Sequence, residues 1–204
     1  LHLLSRRQRQ MCIRDRLMSI CGNYMKQKGT LKKNTIVATV MSNLGMFLMG
    51  EREGIHIEKT KVGDRYVLEN MLENGYNIGG EQSGHIIFLD ENTTGDGLLS
   101  ALHLLQVMTE TKKKLSELAS IMEVLPQALV NAKVPNHKKE HFEEYAEIAE
   151  AIAEVEAKFA GEGRVLIRPS GTEPLVRVMI EGKDQQLIES EAQKLAELIS
   201  SIML

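Results

Sequence analysis

The apolar positions of the first 124 residues come in short unbroken runs, separated by stretches with helical spacing. Residues 35–41, Thr-Ile-Val-Ala-Thr-Val-Met, are one such run, the pattern of a strand buried on both faces of a parallel sheet. A helix over residues 17–27 precedes it. Ser42-Asn43 is placed to cap a helix over 44–52, and residues 55–59 read as a second short strand. The loop Lys61-Val62-Gly63-Asp64-Arg65 leads into a helix over 66–73, with Asp64 as its N-cap and Asn74-Gly75 as its stop. Residues 77–80 and 85–89 read as strands on either side of a glycine-bounded bend. Thr93-Thr94-Gly95-Asp96-Gly97 opens a helix over 98–109, and another covers 115–122. This strand–helix alternation predicts an α/β layer.

The pattern changes near Val124–Pro126. A strand over 128–134 is followed by a polar break at 136–139 and an Ala- and Glu-rich helix over 141–159, ended by Gly161. Two β-branched runs, 165–167 and 175–180, flank a Pro/Ser/Gly/Thr turn. In the last helix, over 185–202, Leu187, Ile188, Ala192, Leu195, Ala196, Ile199 and Ile202 recur mainly at steps of three and four. The expected architecture is a mixed α/β/α domain over 17–126, followed by a small α+β domain over 127–204 whose antiparallel sheet is covered by helices.

Residues 1–16 stand apart. Arg6-Arg7-Gln8-Arg9-Gln10 is a basic run, the chain does not open on Met, and the string from Arg6 to Arg16 resembles a translated sequencing adapter. The segment is set aside from the fold, and the chain is read as a fragment. A basic arm for nucleic acid is the competing reading of the same residues.

Composition narrows the function classes. The 204 residues carry a formal net charge of −3, with 43% hydrophobic and 26% charged residues, which is ordinary for a soluble globular protein and gives no reason to expect nucleic acid or a membrane surface as partner. Cys12 and Cys21 have no metal-ligand spacing and suggest a reducing, cytoplasmic setting. No apolar run approaches the roughly 20 residues that span a bilayer. His2, His56, His103, His137 and His141 form no ligand pattern, and no P-loop or dinucleotide fingerprint occurs. Nothing in the sequence bears on oligomeric state.

Two stretches carry candidate chemistry. Arg168-Pro169-Ser170-Gly171-Thr172-Glu173-Pro174 gathers the hydroxyls of Ser170 and Thr172 with the backbone N–H of Gly171, and Arg168 and Arg177 stand at its ends. A planar guanidinium fork fits phosphate oxygens, so the turn reads either as a phosphate cradle or as an ordinary hairpin with solvated arginines. In Gly80-Glu81-Gln82-Ser83-Gly84-His85, Glu81, Ser83 and His85 fall on one side of an extended chain. A carboxylate and a hydroxyl together suit sugar hydroxyls, and His85 can move a proton near neutral pH; a polar hairpin with a solvated Glu is the plain alternative. Lys61 and Arg65 read as surface cations or as phosphate ligands, with Lys61 also able to transfer a proton. Asp96 in the 93–97 run favours helix capping over anion binding there.

In this order and spacing these stretches resemble the α-D-phosphohexomutases, and within them the bacterial phosphoglucosamine mutase subfamily, which Met41-Ser42-Asn43-Leu44-Gly45, Lys61-Val62-Gly63-Asp64-Arg65-Tyr66-Val67 and Leu125-Pro126-Gln127 also fit. The likeness covers about residues 17–204. It implies the third and fourth of four domains around a cleft, with a phosphorylated serine and a Mg²⁺ loop on the first two. By that likeness Glu81 and Ser83 hold sugar hydroxyls. Lys61 and His85 serve as acid/base helpers, and Arg168, Ser170, Gly171, Thr172 and Arg177 hold the phosphate that is not transferred. The implied substrate is a phosphorylated hexosamine, interconverted between its 6- and 1-phosphates through a bisphosphate. The sequence departs from the family in having no Ser-His-Asn-Pro-like nucleophile loop and no Asp-rich metal loop, so no metal ligand is assigned and the fragment is expected to be inactive by itself. A non-catalytic sugar-phosphate binding module, or a piece of a phosphoglucomutase or phosphomannomutase, are the other readings.

Overall fold

The computed structural model describes residues 12–204 in full, and residues 2–11 only as the start of helix α1. The chain forms two compact units that meet in sequence between Val124 and Leu125.

In the first unit, strands β1 (Thr35–Thr39), β2 (His56–Thr60), β3 (Ile78–Gly80) and β4 (Ile86–Phe88) form a sheet in the order β2-β1-β3-β4. β1 is parallel to β2 and β3, and β4 is antiparallel to β3. Every residue of β1 is buried, as an interior strand between two parallel neighbours requires. Around the sheet lie α1 (His2–Gln27), α2 (Leu44–Glu53), α3 (Asp64–Asn74), α4 (Gly97–Thr111) and α5 (Leu115–Ala119). Alternate β1 residues point to opposite faces. Ile36 and Ala38 join Met18 of α1 and Met46 and Met49 of α2 in one cluster, while Val37 joins Val67 and Met71 of α3 in another. The result is the expected α/β/α sandwich.

Three local expectations change. The first helix begins well before Leu17, and Asp15 within it is fully buried, its Oδ2 accepting the Asn43 N–H at 2.8 Å. Residues 12–16 thus pack as part of the unit rather than apart from it; the basic run Arg6-Arg7-Gln8-Arg9-Gln10 and its nucleic-acid reading lie outside the fully described residues. The N-cap of α3 is Gly63, not Asp64, which is the first helical residue. α5 stops at Ala119, short of Met122. Asn43 and Asp96 do cap α2 and α4: Asn43 Oδ1 accepts from Gly45 N–H at 3.1 Å, and Asp96 Oδ1 from Leu98 N–H at 2.8 Å.

In the second unit, β5 (Gln127–Lys133), β6 (Arg164–Pro169) and β7 (Leu175–Glu181) form an antiparallel sheet in the order β5-β7-β6, with α6 (Ala146–Phe159) and α7 (Gln185–Met203) packed on it. Val176, Val178 and Ile180 of β7 meet Phe159 of α6 and Ile188, Leu195 and Ile199 of α7 in one core. The helix expected over 141–159 is two elements, a 3-10 segment Lys139–Glu144 and then α6, because Tyr145 takes an extended backbone (φ −89°, ψ 110°) between them. The chain turns left-handed at Ala160 (φ 47°) and stays so at the expected Gly161 (φ 87°), which together end α6. Among the described residues no helix is long and apolar enough to cross a membrane.

Candidate functional site

In the first unit the candidate residues gather where the β3–β4 hairpin meets the loop before α3. Glu81 N–H donates to His85 O at 2.9 Å, and Gly84 N–H to Glu81 O at 3.4 Å. The segment is therefore a tight bend, not extended chain. Glu81 and Ser83 consequently do not share one exposed face: Glu81 is buried, while Ser83 and His85 are exposed. The buried carboxylate has a local task, since its Oε1 accepts the Gly63 N–H at 2.8 Å. Gly63 has a φ of +136°, a backbone state natural only to glycine, and this conformation accompanies the N–H bond to Glu81. His85 Nδ1 lies 3.3 Å from Asp64 Oδ2, a second tie between bend and loop. Lys61 is exposed two residues before Gly63. Arg14 of α1 steadies the bend from outside by donating to Gln82 O at 3.2 Å. A groove of about 290 Å³ runs beside it, lined by Arg14, His85, Gly95, Asp96 and Ser100 among others.

Asp64, Glu81 and His85 present one potential ligand atom each, all within 4.8 Å of one another. The trio does not suit Mg²⁺, which needs near-octahedral oxygen ligands. One member is an imidazole turned to Asp64, and Glu81 spends an oxygen on Gly63.

In the second unit the 168–174 turn joins β6 to β7, and Arg168 faces Arg177 directly across the ladder. Opposed residues of an antiparallel pair share a face, and like charges there repel. Arg168 is held below the usual arginine range, first by burial and then by the charge of Arg177. Arg177 donates to Glu173 Oε2 at 3.2 Å, while its Nε is buried with no hydrogen-bond partner among the described residues. Ser170 is 3% exposed. Its Oγ accepts the Glu173 N–H at 3.2 Å, so this hydroxyl builds the turn. Gly171 and Thr172 form the exposed tip. Two opposed guanidinium groups beside an exposed Gly-Thr tip can receive an anion with several oxygens, and an anion relieves the repulsion between them.

Sequence reasoning missed Asp64, which it read as a cap, and Lys139, which it placed in a polar break. Lys139 is 8% exposed, and its Nζ donates to Ser170 O and, at 3.3 Å, to Glu173 O. Its one sequence signal was a lysine just after a predicted core strand, which does not distinguish a buried cation from a solvated one.

Comparison with known proteins agrees with this layout. The family profile described as "Phosphoglucomutase/phosphomannomutase, alpha/beta/alpha domain III" matches residues 14–125, and that described as the family's C-terminal domain matches 129–198. The chain is 62% identical over 185 residues to the phosphoglucosamine mutase of Ruminiclostridium cellulolyticum and 63% identical to that of Acetivibrio thermocellus, covering 91% of this chain but 41% of each relative. Its fold is similar to a crystal structure of N-acetylglucosamine-phosphate mutase in a substrate complex, at a TM-score of 0.73, 23% identity, and coverage of 91% of this chain and 43% of that one. It is also similar, at a TM-score of 0.73, 16% identity, and coverage of 93% of this chain and 44% of the other, to the Aspergillus fumigatus N-acetylphosphoglucosamine mutase in complex with GlcNAc-6P and magnesium. The chain belongs to the phosphoglucomutase/phosphomannomutase family, of which it carries the alpha/beta/alpha domain III and the C-terminal domain.

Proposed function

We propose that this chain supplies the sugar-recognition and phosphate-binding parts of a mutase that interconverts glucosamine 6-phosphate and glucosamine 1-phosphate. The observation that carries this reading is the Arg168–Arg177 pair, set in register beside the exposed Gly171-Thr172 tip. Arg168, Arg177, Thr172 and the Gly171 N–H hold the phosphate that stays on the sugar, with Ser170 shaping the turn. In the first unit, Ser83 and Glu81 read ring hydroxyls, and Lys61 and His85 stand as proton-transfer groups. Identity of about 60% to phosphoglucosamine mutases supports glucosamine over glucose or mannose.

Turnover in such a mutase needs a phosphoryl-carrying nucleophile, and a Mg²⁺ ion to spread the charge of the moving phosphoryl group. Neither role is assigned to a residue of this chain, which spans 41% of the relatives' length. What its own residues do is bind, orient and move protons.

Calorimetric titration of the chain with glucosamine 6-phosphate, glucosamine and inorganic phosphate tests the reading. The sugar phosphate should bind tightest. Arg177→Ala should weaken both phosphate-bearing ligands by about 1–3 kcal/mol, the scale of a charge-assisted hydrogen bond. Ser83→Ala should weaken the sugar phosphate and leave inorganic phosphate unchanged. Equal affinity of Arg177→Ala and wild type for all three ligands rejects the cradle.

A further inference from the structure

Lys139 is a buried cation that this reading leaves without a role. It opens the 3-10 segment after β5, where the N–H groups of Lys138 and Lys139 donate to Pro135 O at 3.0 and 3.2 Å. The side chain runs under the 168–174 turn and ends on two of its carbonyls, Ser170 O and Glu173 O. Burying an ammonium costs several kcal/mol unless it is well paired, and carbonyl oxygens pair it without neutralising it. The turn therefore rests on a cation. Evolutionarily cheaper ways to brace a hairpin exist, such as a backbone bond or a neutral hydroxyl, and Ser170 Oγ already provides one.

The geometry gives this cation a specific effect. Among the described residues no peptide bond is cis, and across a trans peptide C=O and N–H point in opposite directions. A Ser170 carbonyl held down towards Lys139 aims the Gly171 N–H up, away from the lysine, on the exposed side of the tip. Glu173 O is held likewise, and the next residue, Pro174, has no N–H to redirect. Ser170 N–H is committed to Leu175 O at 2.9 Å and Glu173 N–H to Ser170 Oγ at 3.2 Å. The donor that Lys139 orients is thus Gly171 N–H. Its charge lies against two carbonyls of a turn bracketed by two guanidinium groups, where it adds to the pull on an anion.

We propose that Lys139 is the positioning residue of the anion-binding turn: it fixes the Ser170–Gly171 peptide so that the Gly171 N–H faces the bound phosphate, and it supplies a buried positive charge beneath it. The inference rests on the cradle reading above and adds a residue that does not itself touch the ligand.

The test is a titration of the ¹⁵N-labelled chain with inorganic phosphate, followed through the amide signals of Gly171 and Thr172, for wild type, Lys139→Met, Lys139→Gln and Arg177→Ala. Met keeps the apolar stem and removes the charge. Gln keeps one donor and removes the charge, and serves if Met fails to fold by circular dichroism. Expected is about a tenfold loss of phosphate affinity in Lys139→Met, with a shifted Gly171 amide signal before any ligand is added, and a smaller loss in Lys139→Gln. A Lys139→Met or Lys139→Gln protein that is folded and binds phosphate like wild type, while Arg177→Ala does not, overturns the proposal and leaves the cradle standing. Wild-type affinity in Arg177→Ala removes the cradle, and this proposal with it.

Discussion

At the scale of single residues, Arg168 and Arg177 are an arrangement that stability alone does not favour. They stand opposite each other in the β6–β7 ladder, and Arg168 is pushed down by burial and by its neighbour's charge. Cross-strand like charges cost up to about 1 kcal/mol, a cost that a site can carry when a ligand removes it. Arg168→Met keeps the stem and deletes the repulsion. It should stabilise the ligand-free chain by about 0.5 kcal/mol in urea denaturation and abolish most of the extra stability that added phosphate gives wild type. A destabilised variant, or one that phosphate still protects fully, contradicts the assignment of this pair to an anion. The same scale shows what the sequence could reveal. Arg168, Arg177 and Glu81 stood out because their residue types are unusual next to glycine-bounded turns. Asp64 and Lys139 did not, because an ion pair to His85 and a bond to Ser170 O are made by residues 21 and 31 positions away, a closeness that only the folded chain creates.

At the scale of elements, most helices and strands were legible from periodicity and capping chemistry. β1 declared itself by an unbroken apolar run, and α2 and α4 by Asn43 and Asp96. The misreadings fall where local signals are weak. Residues 141–145 have helical composition, yet Tyr145 breaks the run, and the bend at 81–84 is closed by backbone bonds that no side-chain pattern encodes. Helix α2 adds a constraint of another kind. Gly45 sits in its first turn, and a Cβ built there would lie 1.7 Å from Glu123 O. Propensity alone favours Ala over Gly in a helix by about 1 kcal/mol. Here the backbone of residue 123 occupies the space, so the sign should reverse: Gly45→Ala should cost about 1–3 kcal/mol, the range for forced overpacking. Urea midpoints within about 0.5 kcal/mol of wild type would mean that the 121–124 segment yields easily and is not a fixed wall of the unit.

At the scale of the whole molecule, each unit carries a carboxylate held in its charged form by lysines, and this sets the response to acid. In the first unit, Lys32 and then Asn77 hold Asp90 below its ordinary value of 3.8. In the second, Lys158 of α6 and then Lys194 of α7 do the same for Glu191, ordinarily 4.5, at distances of 2.7 and 2.8 Å. A carboxyl whose folded-state pKa is depressed contributes stability that is fully present above its unfolded pKa and is lost as pH falls through the folded one. Both contributions are therefore intact at neutral pH and decline below about pH 4. Glu191 is the sharper test, because its side chain is 5% exposed and it clamps one helix to the other. Lys158 and Lys194 are themselves 48% and 66% exposed, so solvent screens the pairs and the contribution stays modest. Glu191→Gln should lower stability at pH 7 by about 1–2 kcal/mol. On acidification the wild-type carboxylate takes up a proton and becomes as neutral as the amide, so the gap between the two proteins should narrow as pH falls below about 4 and through the depressed folded-state pKa. Denaturation curves of both proteins across that range read this directly. A gap that stays constant with pH would show that Glu191 acts through packing alone, and that its pairs with Lys158 and Lys194 contribute nothing to holding the second unit together.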